Sequence, residues 1–285
     1  MTMLEIRFLG RGGQGGVIAA ELLAEAAFRD GKFPQSFPFF GVERRGAPVT
    51  AYARVDDRPV RLRTSISEPD VVVVLDKGLL FSTPATEGLK EGGALLVNGP
   101  RDLASVPAPP GARVALVDAN RIALELGLGT PSMPIGNTAV LGALARWTGV
   151  VSLASLDRAV ADHVPAHPDE NRRACARGFA ELVPVPAERL RPVPATSPRV
   201  EPPLPEGPIA RQPSSVLRTA SWRTLRPEIH LEKCTRCNFC WKFCPDEAIA
   251  RNEEGYPVLE ADHCKGCGIC AEVCPPKTIE MVLEA

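Results

Sequence analysis

CTRCNFCWKFCP, Cys234–Pro245, and CKGCGICAEVCP, Cys264–Pro275, are two copies of one pattern, C-x2-C-x2-C-x3-C-P. Each cysteine of the second copy lies 30 residues after its counterpart, and the two copies hold eight of the nine cysteines. Three thiolates at i, i+3 and i+6 on a tight loop can each reach one iron of a cubane, and the whole run is a ligand signature for [4Fe–4S] clusters. The fourth cysteine of each run is expected to ligate the other cluster. That assigns Cys234, Cys237, Cys240 and Cys274 to one cluster, and Cys264, Cys267, Cys270 and Cys244 to the second. Pro245 and Pro275 end the cysteine loops where a short helix can begin. Gly266 and Gly268 let the backbone come close to cluster sulfurs, where amide donors tune potential. Zinc ribbons or a disulfide framework are the competing readings. Zinc sites usually take their four ligands as two separated pairs, which leaves the triplet-plus-one spacing unexplained. This end of the chain is expected to move single electrons.

The repeat extends beyond the cysteines. Ala248-Ile249-Ala250 after the first run matches Thr278-Ile279-Glu280 after the second, and His230-Leu231 before the first roughly matches Val258-Leu259 before the second. These are the expected short strands of a pseudo-two-fold α+β domain with two clusters. So small a domain buries little apolar surface without its clusters, so cluster binding and folding should be coupled. Ten prolines crowd residues 184–213, and periodic apolar spacing vanishes there. Such a stretch is a semi-rigid linker or strap. The expected division is a domain over 1–183, a proline-rich linker over 184–221 and a two-cluster domain over 222–285.

Upstream, strand and helix alternate. LEIRFL (Leu4–Leu9), VTAYARV (Val49–Val55), VVVVL (Val71–Leu75), Ala94–Val97 and Arg113–Val117 read as strands, the third of them apolar enough for a buried parallel strand. Val17–Arg29, Ile122–Leu126, Thr138–Trp147, Leu153–Val164 and Glu170–Leu182 read as helices, with Asn137 and Ser152 as plausible caps. The rhythm predicts an α/β, Rossmann-like, mostly parallel sheet with helices on its faces. Between the first strand and helix lies Gly10-Arg11-Gly12-Gly13-Gln14-Gly15-Gly16, which satisfies G-x-G-x-x-G. Free amides and the helix dipole there favour an anion such as a phosphate. A dinucleotide site also asks for a carboxylate about 20 positions on, and Lys32–Pro38 has none. A glycine turn that only packs helix on strand stays open. Arg44 and Arg45, in FFGVERRG (Phe39–Gly46), can clamp phosphate or carboxylate. They read equally as a surface salt-bridge cluster or a subunit contact. Phe37, Phe39 and Phe40 fit a core or an interface.

No catalytic apparatus stands out. His163 and His167 flank Pro165 near a helix end and read as surface or capping residues. Cys175, alone in a helical stretch, reads as a buried structural thiol. There is no signature for thiamine diphosphate, flavin or molybdenum. The net charge of −1 gives no reason to expect nucleic acid or an anionic membrane surface. No apolar run approaches the roughly 18 residues of a membrane span, and MTMLEIRFLG lacks the layout of a signal peptide. With oxygen-sensitive clusters, this favours a cytoplasmic location.

The strand followed by GRGGQGG and a helix, then FGVERRG, VTAYARV and PIGNT (Pro134–Thr138), resembles the γ subunit of 2-oxoacid:ferredoxin oxidoreductases. The two-cluster end resembles the δ subunit of the same enzymes, a bacterial-type ferredoxin. The chain is similar to a γ–δ fusion over nearly all of its length outside the linker. Ala47, where a second glycine often follows the Arg-Gly pair, is one departure. The resemblance implies a complex that oxidatively decarboxylates a 2-oxoacid, pyruvate by default, with coenzyme A. Thiamine diphosphate and Mg2+ would sit in α and β partner subunits, and ferredoxin would accept the electrons. It implies a hetero-oligomer in which Gly12, Gly13, Gln14, Gly15, Gly16, Arg44 and Arg45 are candidates for contacting the phosphates of coenzyme A. The competing functions are a stand-alone iron–sulfur electron carrier and an NAD(P)-linked reductase.

Overall fold

The computed structural model describes residues 3–39, 46–101, 103, 105–131, 133–192, 218–223 and 225–284. The chain divides into two compact units, Met1–Thr196 and Ser197–Ala285.

The first unit is built on a seven-stranded sheet. In chain order its elements begin with β1 (Leu4–Arg11), α1 (Gly16–Arg29), β2 (Phe33–Pro38), β3 (Pro48–Asp56), β4 (Val71–Val74) and α2 (Leu79–Ser82). They continue with β5 (Ala94–Asn98), β6 (Val106–Pro107), β7 (Arg113–Val117), α3 (Ala119–Glu125), β8 (Gly129–Thr130) and β9 (Met133–Pro134). The last are α4 (Asn137–Thr148), α5 (Leu153–His163), α6 (Pro168–Glu181), β10 (Val183–Pro184) and β11 (Leu190–Arg191). The sheet order is β10-β7-β5-β4-β1-β3-β2. The pairs β1–β4, β4–β5 and β5–β7 are parallel, while β3 runs antiparallel to β1 and β2 antiparallel to β3. The four adjacent central strands β7, β5, β4 and β1 are therefore parallel, as expected of a mostly parallel sheet, and β10 and β3 flank them antiparallel. The sheet departs from a dinucleotide fold where that matters most: β3, not β2, lies beside β1.

β4 explains why the run Val71–Val74 is wholly apolar. Val71 and Val73 enter one core with Ile6, Phe8, Leu96 and Val117, under α1 and α3–α6. Val72 and Val74 enter the other with Leu95, Val97, Leu116, Leu79 and Val106. A strand buried on both faces has no position for a polar side chain. The helices were expected on both faces, but the long ones gather on one. Short α2 and the β6 and β11 segments cover the other. α4 and α6 approach closely because Gly142 faces the carbonyl oxygen of Cys175 and Gly178 that of Ala139. A Cβ at either glycine would lie 1.9 Å from that oxygen.

β2 was not foreseen as a strand, since Pro34 and Pro38 interrupt it. It is an edge strand, where proline is tolerated. Arg54 on β3 holds it in place. This arginine, 1 % exposed, donates to Glu5 Oε1 (2.9 Å) and to Gln35 Oε1 of β2 (3.1 Å), and lies over the ring of Phe37. α3 also starts earlier than its apolar pattern implied, because Asp118 accepts from the amide of Arg121 and caps it. Ser152 caps α5 as expected, accepting from the amide of Ser155.

The second unit contains β12 (Leu225–Ile229), α7 (Phe239–Lys242), β13 (Ile249–Arg251), β14 (Pro257–Leu259), α8 (Ile269–Glu272) and β15 (Ile279–Leu283). β12 pairs antiparallel with β15, and β13 with β14. The strand before the first cysteine run ends at Ile229, not at His230-Leu231, where a short 3-10 turn begins instead. Ile229 and Leu259 are then 30 residues apart, in step with the cysteines. Among the described residues no helix is long and apolar enough to cross a membrane.

Candidate metal centres and glycine turn

The two cysteine runs cross over. One cavity in the second unit is lined by Cys234, Cys237, Cys240 and Cys274, with Ile229 and Ile279. The other is lined by Cys264, Cys267, Cys270 and Cys244, with Ile249 and Pro227. The geometry brings the fourth cysteine of each run to the three-cysteine loop of the other. Cys240, Cys270 and Cys274 form the core of this unit together with Ile249 and Ile279.

The backbone path that gathers the thiols is itself repeated. Positive φ occurs at Arg236 (55°) and Gly266 (66°), at Asn238 (62°) and Gly268 (78°), and at Glu247 (52°) and Lys277 (50°). These left-handed residues bend each loop so that successive cysteines face one point. At Gly266 glycine is required for space as well, since a Cβ would lie 2.0 Å from the carbonyl oxygen of Leu225. Backbone amides turn toward the sulfurs: Ala248 donates to Cys244 Sγ (3.3 Å) and Gly266 to Cys264 Sγ (3.4 Å). Arg223, paired with Glu284 at 2.6 Å, also donates to the carbonyl oxygens of Ala261 and Cys264 and fixes the second loop to the start of β12.

These residues fit a multi-atom iron–sulfur group. Each cavity offers four sulfurs in an apolar wall, and in the cavity of Cys264, Cys267, Cys270 and Cys244 two backbone amides are aimed at sulfur. Among the described residues no three His, Cys, Asp or Glu side chains form a group suited to a single ion. Burial raises the thiols of Cys240 and Cys264 above the usual range, and burial with the neighbouring Cys267 pushes Cys270 up to about 12. Such thiols stay protonated unless a cationic centre is bound, whereupon coordination strips the proton.

The glycine turn lies at the C-terminal end of β1. Gly15 precedes α1 in the left-handed region (φ 77°), and a Cβ there would lie 2.5 Å from Asn137 Nδ2. Among the described residues no side chain caps the first turn of α1. The turn is braced from below by Arg11 and Asp76, neither of them a candidate from the sequence, and by Gln14, which was. Arg11, 5 % exposed, donates through Nε to Asp76 Oδ2 at 2.7 Å. Asp76, just past β4, also accepts from Gln14 Nε2 (3.4 Å) and from the amide of Gly78 (2.8 Å). Gln14 Oε1 accepts in return from the amide of Arg11 (2.8 Å). A carboxylate ending the VVVVL run was the available signal, because polar groups at the carboxyl ends of parallel strands mark the ligand-facing rim of such sheets.

Asn137 does not serve as the helix cap expected of it. It is the first residue of α4, and its Nδ2 donates to the carbonyl oxygen of Gly15 (3.3 Å), tying the PIGNT segment to the turn. Asn137 also lines a cleft of about 570 Å3 with Ile18, Leu22, Ile135, Thr138 and Asn171. His163 and His167 stand at its edge, both exposed. His163 faces Glu25 at 3.4 Å, and His167 precedes α6 in a left-handed conformation. Arg44 and Arg45 lie outside the described residues. Cys175 is buried between α4 and α6, and burial pushes its thiol up to about 12, which makes it unreactive. With β3 between β1 and β2, the end of β2 cannot supply the carboxylate that a dinucleotide ribose requires beside the glycine turn.

Comparison with known proteins agrees with this division. Residues 5–181 match the family model described as pyruvate ferredoxin/flavodoxin oxidoreductase, and residues 227–281 match a 4Fe-4S dicluster domain. The pyruvate/ketoisovalerate oxidoreductases common subunit gamma of Thermococcus litoralis is 52% identical over 186 residues, which are 64% of this chain and 98% of that protein. The pyruvate synthase subunit PorC of Methanocaldococcus jannaschii is 52% identical over 182 residues, again 64% of this chain and 98% of that protein. Among solved structures, the pyruvate oxidoreductase subunit PORC of Thermotoga maritima aligns with a TM-score of 0.54 at 36% identity, covering 65% of this chain and all of that one. Each is matched along nearly its whole length yet leaves a third of this chain over, and the dicluster match falls separately. The chain belongs to the pyruvate ferredoxin/flavodoxin oxidoreductase family, as a γ-subunit domain continued in the same polypeptide by a 4Fe-4S dicluster domain.

Proposed function

We propose that the chain is the electron-transfer and scaffold subunit, γ and δ in one polypeptide, of a thiamine-diphosphate-dependent 2-oxoacid:ferredoxin oxidoreductase. The observation that carries this reading is the pair of four-thiol cavities, each completed by a cysteine from the other repeat. Cys234, Cys237, Cys240 and Cys274 hold one [4Fe–4S] cluster, and Cys264, Cys267, Cys270 and Cys244 hold the second. When bound, each cluster stores one electron at a potential set by its protein surroundings. The chain's own contribution is to exclude water with Ile229, Ile249 and Ile279 and to aim the amides of Ala248 and Gly266 at sulfur.

In the first unit the braced turn Gly12–Gly16 and the uncapped start of α1 favour a phosphate. Coenzyme A supplies that chemistry, with Arg44 and Arg45 as further contacts. One relative is named as the common subunit gamma of pyruvate and ketoisovalerate oxidoreductases. That supports a 2-oxoacid pocket outside this chain, in α and β partners that hold thiamine diphosphate and Mg2+. Pyruvate is the substrate assigned by default, ferredoxin the acceptor and the cytoplasm the location.

Anaerobic purification from the native host tests the reading. The expected result is a hetero-oligomer with two partners that together bind thiamine diphosphate, and at least about eight iron atoms per copy of this chain, as its two [4Fe–4S] clusters require. A chain that arrives alone with its iron intact overturns the subunit reading. Calorimetric titration of the complex with coenzyme A tests the turn. Gly15→Ala, which forces a Cβ against Asn137, is expected to weaken binding at least tenfold, about 1.4 kcal/mol. Unchanged affinity removes the turn from the site.

A further inference from the structure

The two halves of the second unit share one backbone path, so a residue difference between matched positions is one the fold did not require. At 239, 241 and 243 the first half has Phe, Trp and Phe; at 269, 271 and 273 the second has Ile, Ala and Val. The aromatic set is displayed on and beside α7: Phe239 is 40 %, Trp241 38 % and Phe243 55 % exposed. Phe239 and Phe243 meet edge to face at 6.2 Å, and the guanidinium of Arg251 lies 4.2 Å over the ring of Trp241. Exposed aromatic rings with arginine are the composition of protein interfaces.

Charge differs in the same sense. The loop and helix over 231–244 carry Lys233, Arg236 and Lys242 against Glu232. The matching 261–274 carry Lys265 against Asp262 and Glu272, and Lys265 is ion-paired with Asp246. Neither Lys233 nor Lys242 has an ion pair among the described residues. Phe239 separates Cys237 from Cys240 in sequence, so a body seated on this face lies beside the cavity of Cys234, Cys237, Cys240 and Cys274.

We propose that the face formed by Phe239, Trp241, Lys242, Phe243 and Arg251 is the docking surface for an acidic one-electron carrier protein. The centre held by Cys234, Cys237, Cys240 and Cys274 is then the exit point of the chain. This rests on the reading of the eight cysteines as cluster ligands. The step moves one electron: the reduced domain is oxidised by one electron, the carrier is reduced by one, and no bond forms or breaks. Opposite charge speeds the encounter, and the aromatic rings supply the dry contact.

The test uses the complete complex and an acidic plant-type [2Fe–2S] ferredoxin as probe. Binding of the oxidised probe is measured by calorimetry, and electron transfer from dithionite-reduced complex by stopped flow, at low salt and at about 0.5 M salt. Lys242→Glu is expected to raise the Kd about tenfold at low salt and much less at high salt. Trp241→Ala with Phe243→Ala is expected to raise it at both. Glu272→Lys, at the matched position of the other half, is expected to leave it unchanged. Iron content and the EPR spectrum of each variant check that the domain has assembled. The proposal is overturned if the α7 variants bind the probe normally, or if Glu272→Lys weakens binding as much as they do. It is equally overturned if the α7 variants lose their partner subunits, which would make this face a subunit contact. Complex free of iron in the unsubstituted protein sinks the cluster reading itself.

Discussion

The two units are held together by different means. The first buries a continuous apolar core from Ile6 to Cys175 on one side of its sheet and a second core on the other. Among the described residues the core of the second reduces to Cys240, Cys270, Cys274, Ile249 and Ile279. Three of those five are thiols assigned to iron. One unit owes its fold to hydrophobic burial, which the chain supplies alone; the other has placed ligands where a small domain would keep its apolar residues. In the second unit the core and the residues assigned to the clusters are therefore the same atoms, whereas in the first the core is separate from the glycine turn.

Stripping iron is the harshest way to break this contrast. An anaerobic chelator with a mild oxidant is expected to unfold the second unit completely while the first keeps its far-UV circular dichroism. Alkylation followed by mass spectrometry reports both at once. Eight cysteines should react and Cys175, the ninth, should stay protected in its helix interface. A second unit that resists proteolysis without iron would show that its few apolar residues suffice.

Within the first unit, Asp76→Ala leaves the buried Arg11 without its partner. The expected cost is about 3–5 kcal/mol by chemical denaturation, together with weaker coenzyme A binding, since the turn loses its brace. A loss of under about 1 kcal/mol would mean that water replaces the carboxylate. Gly178→Ala puts a methyl group against the carbonyl oxygen of Ala139 and should cost about 1–3 kcal/mol, with iron content unchanged because the second unit does not depend on that contact.

The smallest effect sharpens the comparison inside the second unit. Arg236→Gly gives the first loop the residue of the second. Relief of a left-handed arginine and the greater freedom of glycine in the unfolded chain oppose each other, so the change should stay within about 1 kcal/mol. In the second loop, Gly266→Ala meets the Leu225 carbonyl and should prevent assembly of the cluster held by Cys264, Cys267 and Cys270, read as loss of half of this chain's iron.

The cysteine spacing was legible because eight cysteines at matched 30-residue offsets leave a periodic mark that apolar packing does not imitate. The apolar run of β4 was legible for a similar reason: burial on both faces permits one kind of residue. β2 was not, because prolines weigh against a strand, and only its edge position with the clamp from Arg54 makes them harmless. Asn137 was read as a helix cap since the local rule for asparagine before a helix has that meaning. Its actual partner, Gly15, lies 122 residues away. Arg11 and Asp76 were overlooked for the same reason, being 65 positions apart. Local chemistry reads well from sequence; a contact made by the sheet order does not.

Positive φ recurs at 236 and 266, at 238 and 268, and at 247 and 277. At these six positions the backbone has the hand natural to mirror-image amino acids. A second unit made by chemical ligation should accept D-alanine at position 268, where L-alanine would strain it. Stereochemical preference, normally uniform along a protein, here reverses with a 30-residue beat set by the loops that surround the metal.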